Sequence, residues 1–503
     1  MFTHNRLSVL QGLIQDRSMQ LYNTLTRRKE DFVPREPGKV GMYACGITAY
    51  DYCHIGHARS AIVFDVLSRY LRSLGLDVTF VRNFTDVDDK IIARAARKNI
   101  SCQALSELYI AAFHEDMDRL GVLRATVEPR AMEYIPQMIA LCETLIGKGK
   151  AYATPSGDVY FRVRAFDGYG KLSGRSVDDL RSGARVLPGE EKEDPLDFAL
   201  WKSAKPGEPF WESPWGQGRP GWHIECSAMS EQHLPLPLDI HGGGQDLIFP
   251  HHENEVAQTE AATGKDFARF WVHNGFVQIS SEKMSKSLGN FTTIRDILNQ
   301  YLPEVLRFFL LTRHYRSPVD FSQDTMEEAE KNLKRLYETL LLLEAALSGP
   351  EPKGGNLSQE LAQEGEELIN GWHAAMEDDL NTAAAIAQMN GLSHLANRVM
   401  DDKALRKNAE ARALLLRIRG KFSEWGDVLG VALLPPHDFL ADLRECRATR
   451  RGVDLSLVKQ LMDDRNTARQ NKDFAASDSL RDRLASLGIE VRDTPQGATW
   501  DIL

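Results

Sequence analysis

The 503-residue chain has no apolar run approaching the roughly 18 residues of a membrane span; its densest patch, Leu340–Leu347, is broken by Glu344. A membrane partner is not expected. The opening residues, MFTHNRLSVLQGLIQDRSMQ, lack a basic start followed by an apolar stretch, so a secretory leader is not expected either. Cysteine is scarce: six residues, at 45, 53, 102, 142, 226 and 446, are too irregular for a disulfide framework, and no CxxC occurs. They read as free thiols or metal ligands in a reducing compartment, which points to the cytoplasm. Basic excess is missing as well. The 61 Lys and Arg stand against 71 Asp and Glu, a net −10 that argues against a generic nucleic-acid binder. Repeats and low-complexity tracts are absent. With 37 Gly and 21 Pro the composition is ordinary for a globular chain, which excludes collagen-like and disordered classes. No dimerisation element is evident, and a monomer is expected.

At ~100–200 residues per domain the length suggests three or four domains. KVGMYACGI at 39–47 reads as a strand, 57–74 as an amphipathic helix closed by Gly75, and 77–83 as a second strand. Strand, helix and strand make a βαβ unit and imply a parallel sheet. Helical patterns run through 88–120 and 131–149, whereas 151–220, rich in Gly, Pro and aromatics, reads as an insertion of short strands and loops. LDIHGGGQDLIFP returns to a strand and turn, a helix starts at 251, and WVHNGFVQI is strand-like. From 303 to about 430 the chain reads as a helix bundle, Pro435-Pro436 as a linker, and 455–487 as two helices before a terminal strand-turn. Charge is uneven: residues 351–380 hold eight Asp/Glu against one Lys, while 441–503 balance eleven Lys/Arg with eleven Asp/Glu, leaving room for a local basic face.

Two motifs carry chemistry. His54-Ile55-Gly56-His57 lies between the first strand and its helix, where unpaired N–H groups and the helix dipole favour a phosphate. Its imidazoles can donate to a phosphate whose charge grows in a transition state, and Gly56 admits a ligand close to the backbone. Lys283-Met284-Ser285-Lys286-Ser287 follows the later strand, and its two lysines can neutralise a triphosphate from a flexible stem. Alone, the first could be an incidental turn and the second a solvated loop. A chance pair in one chain of this length is roughly a one-in-a-million event.

The pair, in this order and each after a strand, resembles the class I aminoacyl-tRNA synthetases. YACGITAYDYCHIGHARS, FTDVDDKII, GWHIECSAMS, DIHGGGQDLIFPHHENEVAQ, KMSKSLGN and the closing PQGATW together resemble the cysteinyl-tRNA synthetase family, from about Leu21 to Trp500. The resemblance implies an α/β chain: a Rossmann-like parallel-sheet core with an insertion, then a helical bundle and a small anticodon-binding domain. The expected segments are an extension without assigned role (1–20), the first half of the core (21–135), the insertion (136–222), the second half with the metal ligands and lysine motif (223–302), the bundle with its stem-contact region (303–434) and the anticodon-binding domain (435–503). It implies ligation of L-cysteine to tRNA(Cys) with ATP and Mg²⁺, through cysteinyl-adenylate, with His54, His57, Lys283 and Lys286 catalytic.

A metal site can be argued from residue types too. His251 and Glu255 are four apart on an expected helix and share a face, Cys226 lies in GWHIECS, and Cys45 ends the first strand. Cys, Cys, His and Glu suit Zn²⁺. Scattered buried cysteines are also often plain hydrophobes, and His252, Cys53 and His223 are nearby competitors. The resemblance assigns one zinc per chain to Cys45, Cys226, His251 and Glu255. A soft thiolate on zinc separates cysteine from serine far better than the ~10²-fold that shape and hydrogen bonds give, so no editing domain is needed. The rival reading of the metal is a closed structural site.

Further pocket candidates are Thr48, Thr85, Trp222, His241 and Asp246 for substrate, and Gly242, Gly243 and Gly244 for the adenylate backbone. Arg469, Asp478, Asp493 and Trp500 are the candidates for base-edge contacts and stacking at the anticodon. Three alternatives compete: a zinc-dependent ligase placing cysteine on an amino sugar conjugate, a nucleotidyltransferase sharing only the core, and a non-catalytic RNA-binding paralogue. Residues 440–503 argue against the first and the two intact motifs against the last.

Overall fold

The computed structural model describes residues 18–177, 191–279, 282–283, 292–494 and 497–502. The apolar run KVGMYACGIT forms strand β1 (Lys39–Thr48) and leads into helix α1 (Ile55–Ser73). Gly75, at φ +83, supplies the left-handed turn that releases the chain into β2 (Asp77–Thr85). The stretch 88–120 divides into helices Asp89–Lys98 and Cys102–Arg119, and Ile135–Gly147 is a third. Four short strands between Ala151 and Pro220 then form an antiparallel sheet, as the change in composition at 151–220 suggests. Helix α2 (Trp222–His233), strand β3 (Leu238–Gly244), helix α3 (Glu253–Thr263) and strand β4 (Ala268–Asn274) complete the core.

The core sheet is parallel throughout, in the order β4-β3-β1-β2. Because successive side chains point to opposite faces, a strand covered on both sides reads as a continuous apolar run. Val40, Met42 and Ala44 of β1 join the core shared with α1 and the later helices. Tyr43 and Cys45 face the other way, into the core built with α2, α3 and the insertion. The same alternation sends Ile240 to the first face and His241, beside Tyr43, to the second. One face of the sheet is therefore tied to the bundle, and the other is where α2 and α3 deliver their polar side chains.

The bundle comprises α4 (Pro303–Leu311), α5 (Gln323–Leu347), α6 (Gln359–Glu377), α7 (Thr382–Asp401) and α8 (Ala409–Leu429). Ser322, Ser358 and Asn408 cap three of them by accepting a backbone N–H inside the first turn. Trp372 and Trp425 stack at 4.9 Å in its centre. Pro435-Pro436 does not act as a bare linker. It opens helix α9 (Pro436–Arg451), where a proline at the first helical position costs no hydrogen bond, and Phe439 stacks on Tyr337 of α5 at 3.8 Å. The small C-terminal core gathers only from Ala448 onward, within α10 (Leu455–Gln470), α11 (Phe474–Ser486) and the hairpin β5 (Ile489–Thr494) and β6 (Gly497–Ile502). At the other end Met19 is buried and Gln20 opens a strand, so the fold reaches two residues into the stretch read as an extension.

Bundle and core are joined by a buried ion pair. Arg307 of α4 meets Asp65 of α1 at 2.5 Å, and its other nitrogens donate to the carbonyls of Leu429, Leu120 and Gly121. Both side chains are 2% exposed or less. Asp65→Ala leaves this guanidinium uncompensated, and such losses cost about 3–5 kcal/mol. The first unfolding transition in urea should fall by that order, and a loss below about 1 kcal/mol would contradict the pairing.

Candidate active site and metal centre

Strand order reverses at β1, whose neighbours β2 and β3 lie on opposite sides, so a crevice opens beyond the carboxyl ends of β1 and β3. A cavity of about 730 Å³ fills it. It is lined by Cys45 and Thr48 of β1, His54, Gly56 and His57, Trp222 at the start of α2, Gly244 at the end of β3 and Asp246 beyond it.

Cys45 reaches the cavity through an irregularity. The β1–β2 ladder shifts register between Ala44 and Ile47, and the N–H of Gly46 donates instead to Asn83 Oδ1 at 2.9 Å. A Cβ on Gly46 would lie 1.6 Å from the Asn83 carbonyl, so only glycine allows this approach. Cys45 Sγ then sits 3.6 Å from Cys226 Sγ and 3.4 Å from Glu255 Oε1. His251 Nε2 is 3.0 Å from the same carboxylate oxygen. His251 is not on the α-helix proper, as the sequence suggests, but in one π turn, Ile248–His252, just before α3. Pro250 in that turn lacks the N–H an α-helix needs, and the wider turn still aims the imidazole at Glu255.

The four residues predicted as ligands thus converge, with all donor atoms within 4.8 Å of one another. The sulfur separation matches the edge of a tetrahedron with metal–sulfur bonds of about 2.3 Å, which is about 3.8 Å. A second set, Cys45, His241, His252 and Glu255, meets the same criterion. His252 and His241 therefore belong to the centre, His241 Nε2 lying 2.9 Å from Glu255 Oε2. Five imidazoles crowd this region: His223 Nδ1 meets His251 Nδ1 at 3.0 Å, and Thr24, His273 and His252 form a chain at 2.7 and 2.8 Å. Burial holds His251 and His252 well below the usual imidazole range and His223 and His273 down to about 3, so all four are neutral and offer lone pairs. Glu255 is fully buried with only histidines as ion-pair partners among the described residues. Its Oε2 and His252 Nε2 are buried without an aligned hydrogen bond. A cation fits what these atoms lack.

His54 and His57 cap their own helix. His54 Nδ1 accepts from Gly56 N at 3.0 Å, and His57 Nδ1 accepts from His54 N at 3.2 Å. Each neutral ring must then carry its proton on Nε2, which makes both donors. The rings stack at 3.8 Å. Of the lysine motif, only the backbone of Lys283 is described, in strand Glu282–Lys283 paired with Val277–Ile279; Lys286 lies outside the described residues.

The other candidates separate. Trp222 is 37% exposed and stacks on His251 at 4.1 Å, a wall between metal centre and cavity. Thr48 and Asp246 face the cavity. Thr85 is buried, its hydroxyl 2.5 Å from Glu225, whose carboxyl burial pushes well up. Of the three glycines only Gly244 lines the cavity; Cβ atoms on Gly242 or Gly243 would run into Val272 and Phe64, or Leu247. At the C-terminus Asp493 bridges Arg465 and Arg469 at 2.9 and 3.0 Å, while Trp500 lies under the Arg444 guanidinium and Asp478 is exposed on α11.

Arg59 escaped the sequence reading. Fully buried on the first turns of α1, it donates to the carbonyls of Phe276, His314, Tyr315 and Ser317. Burial lowers its pKa to about 10. It ties the histidine helix to the opposite wall of the cavity, where Gly275, Phe276 and Val277 lie. An arginine two residues after the motif was the available signal.

Burial pushes both thiols up, Cys45 the more strongly, so without metal they are protonated at neutral pH and bind a cation only by losing their protons. Metal-free protein titrated with Co²⁺ in weakly buffered dye solution should release about two protons and gain a sulfur-to-metal charge-transfer band. Cys226→Ser should release about one and weaken the band. Proton release unchanged in Cys226→Ser would remove that residue from the centre.

Comparison with known proteins agrees with this geometry. Residues 31–331 match the profile of the class I (C) tRNA synthetase catalytic domain, residues 371–434 the DALR domain, and residues 457–500 the cysteinyl-tRNA ligase anticodon binding domain. Cysteine–tRNA ligases of Oleidesulfovibrio alaskensis and Nitratidesulfovibrio vulgaris are 66% and 67% identical, covering 96% of this chain and all of theirs; that of Lawsonia intracellularis is 56% identical over the same shares. Methionyl-tRNA synthetase of Mycobacterium tuberculosis with methionyl-adenylate shares the fold at 16% identity, TM-score 0.59, over 78% of this chain and 92% of its own. A leucyl enzyme from Agrobacterium radiobacter, solved with tRNA, does so at TM-score 0.57 and 13% identity over 87% and 90%. The chain belongs to the cysteine–tRNA ligase family of class I aminoacyl-tRNA synthetases.

Proposed function

We propose that this chain activates L-cysteine with ATP and loads it onto tRNA(Cys), with zinc as its resident metal, Mg²⁺ arriving with ATP, and the monomer working in the cytoplasm. The observation that carries the reading is the buried Cys45–Cys226–His251–Glu255 centre opening beside the His54–His57 helix start. Zinc on these four ligands would bind the substrate sulfur as a thiolate, a bond that the hydroxyl of serine cannot match.

The chain's own residues do the rest by positioning and charge. Trp222 closes one side of the amino-acid pocket, and Thr48 and Asp246 offer polar contacts along the cavity. In the first step a carboxylate oxygen of cysteine attacks the α-phosphorus of ATP and pyrophosphate leaves. The Nε2–H groups of His54 and His57 donate to phosphate oxygens as charge builds there. Lys283 and Lys286 neutralise the departing pyrophosphate. In the second step the 2′- or 3′-hydroxyl of the terminal adenosine attacks the acyl carbon and AMP leaves. No side chain acts as a covalent nucleophile. The anticodon is read by the C-terminal domain, with Arg469, Asp478, Asp493 and Trp500 as contacts. The matched anticodon-binding segment disfavours transfer to an amino sugar, and the intact histidine motif disfavours a non-catalytic protein.

The test is amino-acid-dependent ATP–pyrophosphate exchange, before and after chelation. Exchange should occur with cysteine, not serine, and should vanish with the zinc and return on its addition. Exchange with serine, or exchange indifferent to chelation, would refute the metal's selective role. Lys286→Ala should slow adenylate formation about 10²-fold while leaving cysteine binding unchanged. An unchanged rate would remove Lys286 from the transition state.

A further inference from the structure

Helix α9 carries Arg444, Arg447 and Arg450 three residues apart, so they form one stripe. Their contacts overlap along the stripe, from the terminal hairpin through α5 to residues 300–301. The Arg444 guanidinium lies 4.6 Å from the ring of Trp500 in the terminal hairpin. Arg447 donates to the Ile502 carbonyl and Asp501 of the same hairpin at 3.4 and 3.5 Å, and to Glu330 of α5 at 2.7 Å. Arg450 grips both oxygens of Glu330 at 2.9 and 3.0 Å, donates to the Gln300 carbonyl at 3.1 Å and lies 4.3 Å from the Tyr301 ring. Cys446 Sγ donates to the same Gln300 carbonyl at 3.2 Å. Glu330 is 2% exposed, a buried carboxylate shared by two arginines.

Gln300 and Tyr301 end a short segment whose other end touches the catalytic turn. Helix Ile294–Leu298 begins where Thr293 bridges His54 and Ile294 N donates to the Cys53 carbonyl at 2.9 Å. Arg295 holds its middle to Asp116 and Glu115 at 2.8 and 2.6 Å and covers Tyr52 at 4.7 Å. Eight residues, 293–300, therefore join the histidine turn to the arginine stripe. The stripe in turn is bonded to the hairpin that carries Trp500.

We propose that Arg450, held by Glu330, is a positioning residue that couples the C-terminal domain to the catalytic turn, so that correct anticodon docking speeds charging rather than only tightening tRNA binding. This rests on the reading of residues 457–500 as the anticodon-binding domain. Contiguity alone is association; a coupling constant is the physical measure. It is obtained by a cycle of enzyme variant against tRNA variant.

Charging of a tRNA(Cys) transcript with its GCA anticodon is compared with that of a transcript whose anticodon is replaced, in wild type and Arg450→Ala. In wild type the correct anticodon should raise kcat. Arg450→Ala should shrink this kcat ratio about tenfold, within the usual range of coupling constants. The contacts of Thr293, Ile294 and Arg295 with the histidine turn and its surroundings being intact, its cysteine-dependent pyrophosphate exchange should stay within about threefold of wild type. Glu330→Gln, which keeps shape and removes charge, should shrink the ratio in the same direction and decides the matter should Arg450→Ala not fold. The proposal is overturned if wild type shows an anticodon effect in KM alone, if the ratio survives both variants, or if both transcripts and exchange slow equally, which is a merely structural role. Failure of wild type to exchange with cysteine would instead sink the functional reading, and this inference with it.

Discussion

Among the described residues the buried carboxylate of Glu255 has no Lys or Arg partner, and much of the site is arranged around it. Glu255 has two thiols and three imidazoles around it and no contact with water. An isolated charge in such a place is costly, and a protein tolerates it only where a compensating positive charge is supplied. Neutral histidines do not supply it. A divalent ion would supply it, because the donor atoms of Cys45, Cys226, His251 and Glu255 already lie within 4.8 Å of one another. Much of the second face of the sheet is arranged to keep these donors dry and oriented: Asn83 fixes the bulge at Cys45, His223 faces the ring of His251, and Thr24 and His273 hold His252. Such outer partners fix tautomers and ring planes, which a bare quartet of ligands cannot do.

The other half of the cavity follows a different rule. There the polar groups are backbone and side-chain donors at a helix start, and they are set by capping. Using Nδ1 of both histidines on the helix's own N–H groups leaves Nε2 as the protonated atom in each ring, so the cap selects the tautomer that the proposed phosphate contact would need. Arg59 then fastens this helix to the carbonyls of the facing loops. A guanidinium paired with carbonyls rather than a carboxylate keeps its full charge near the cavity while every donor it uses remains satisfied locally.

The sequence made much of this legible, for identifiable reasons. The βαβ unit was readable because alternation and helical period differ sharply in 39–85. The histidine motif was readable because chemistry restricts residue type at fixed spacing, whereas residue types left His252, Cys53 and His223 open as metal donors and the family resemblance singled out the four. What stayed hidden depends on which face a residue takes and on partners far along the chain. Gly242 and Gly243 look like nucleotide-binding glycines, yet they are small because Phe64, Val272 and Leu247 leave no room. His241 looked like a substrate contact, but the period-two alternation of β3 turns it toward Glu255 and Cys45. Pro435-Pro436 looked like a break, but proline is compatible with a helix start as well as with a linker. Arg59 and Arg450 each bind carbonyls, which leave no trace in side-chain identity.

These differences place selectivity and catalysis on different kinds of support. The proposed amino-acid side is built from strands and helices whose side chains interlock, so its geometry is stiff and, under the proposed function, its discrimination would rest on the identity of a few donor atoms. The proposed polyphosphate side is built from the helix start and from loops pinned by Arg59. Loops held at a few points can adjust as charge moves from the α-phosphate to the leaving group. A rigid pocket for the small side chain and an adjustable clamp for the large anion suit a reaction whose two substrates differ in just that way. Cysteine offers one distinguishing atom to hold still, whereas ATP must change its bonding while it is held.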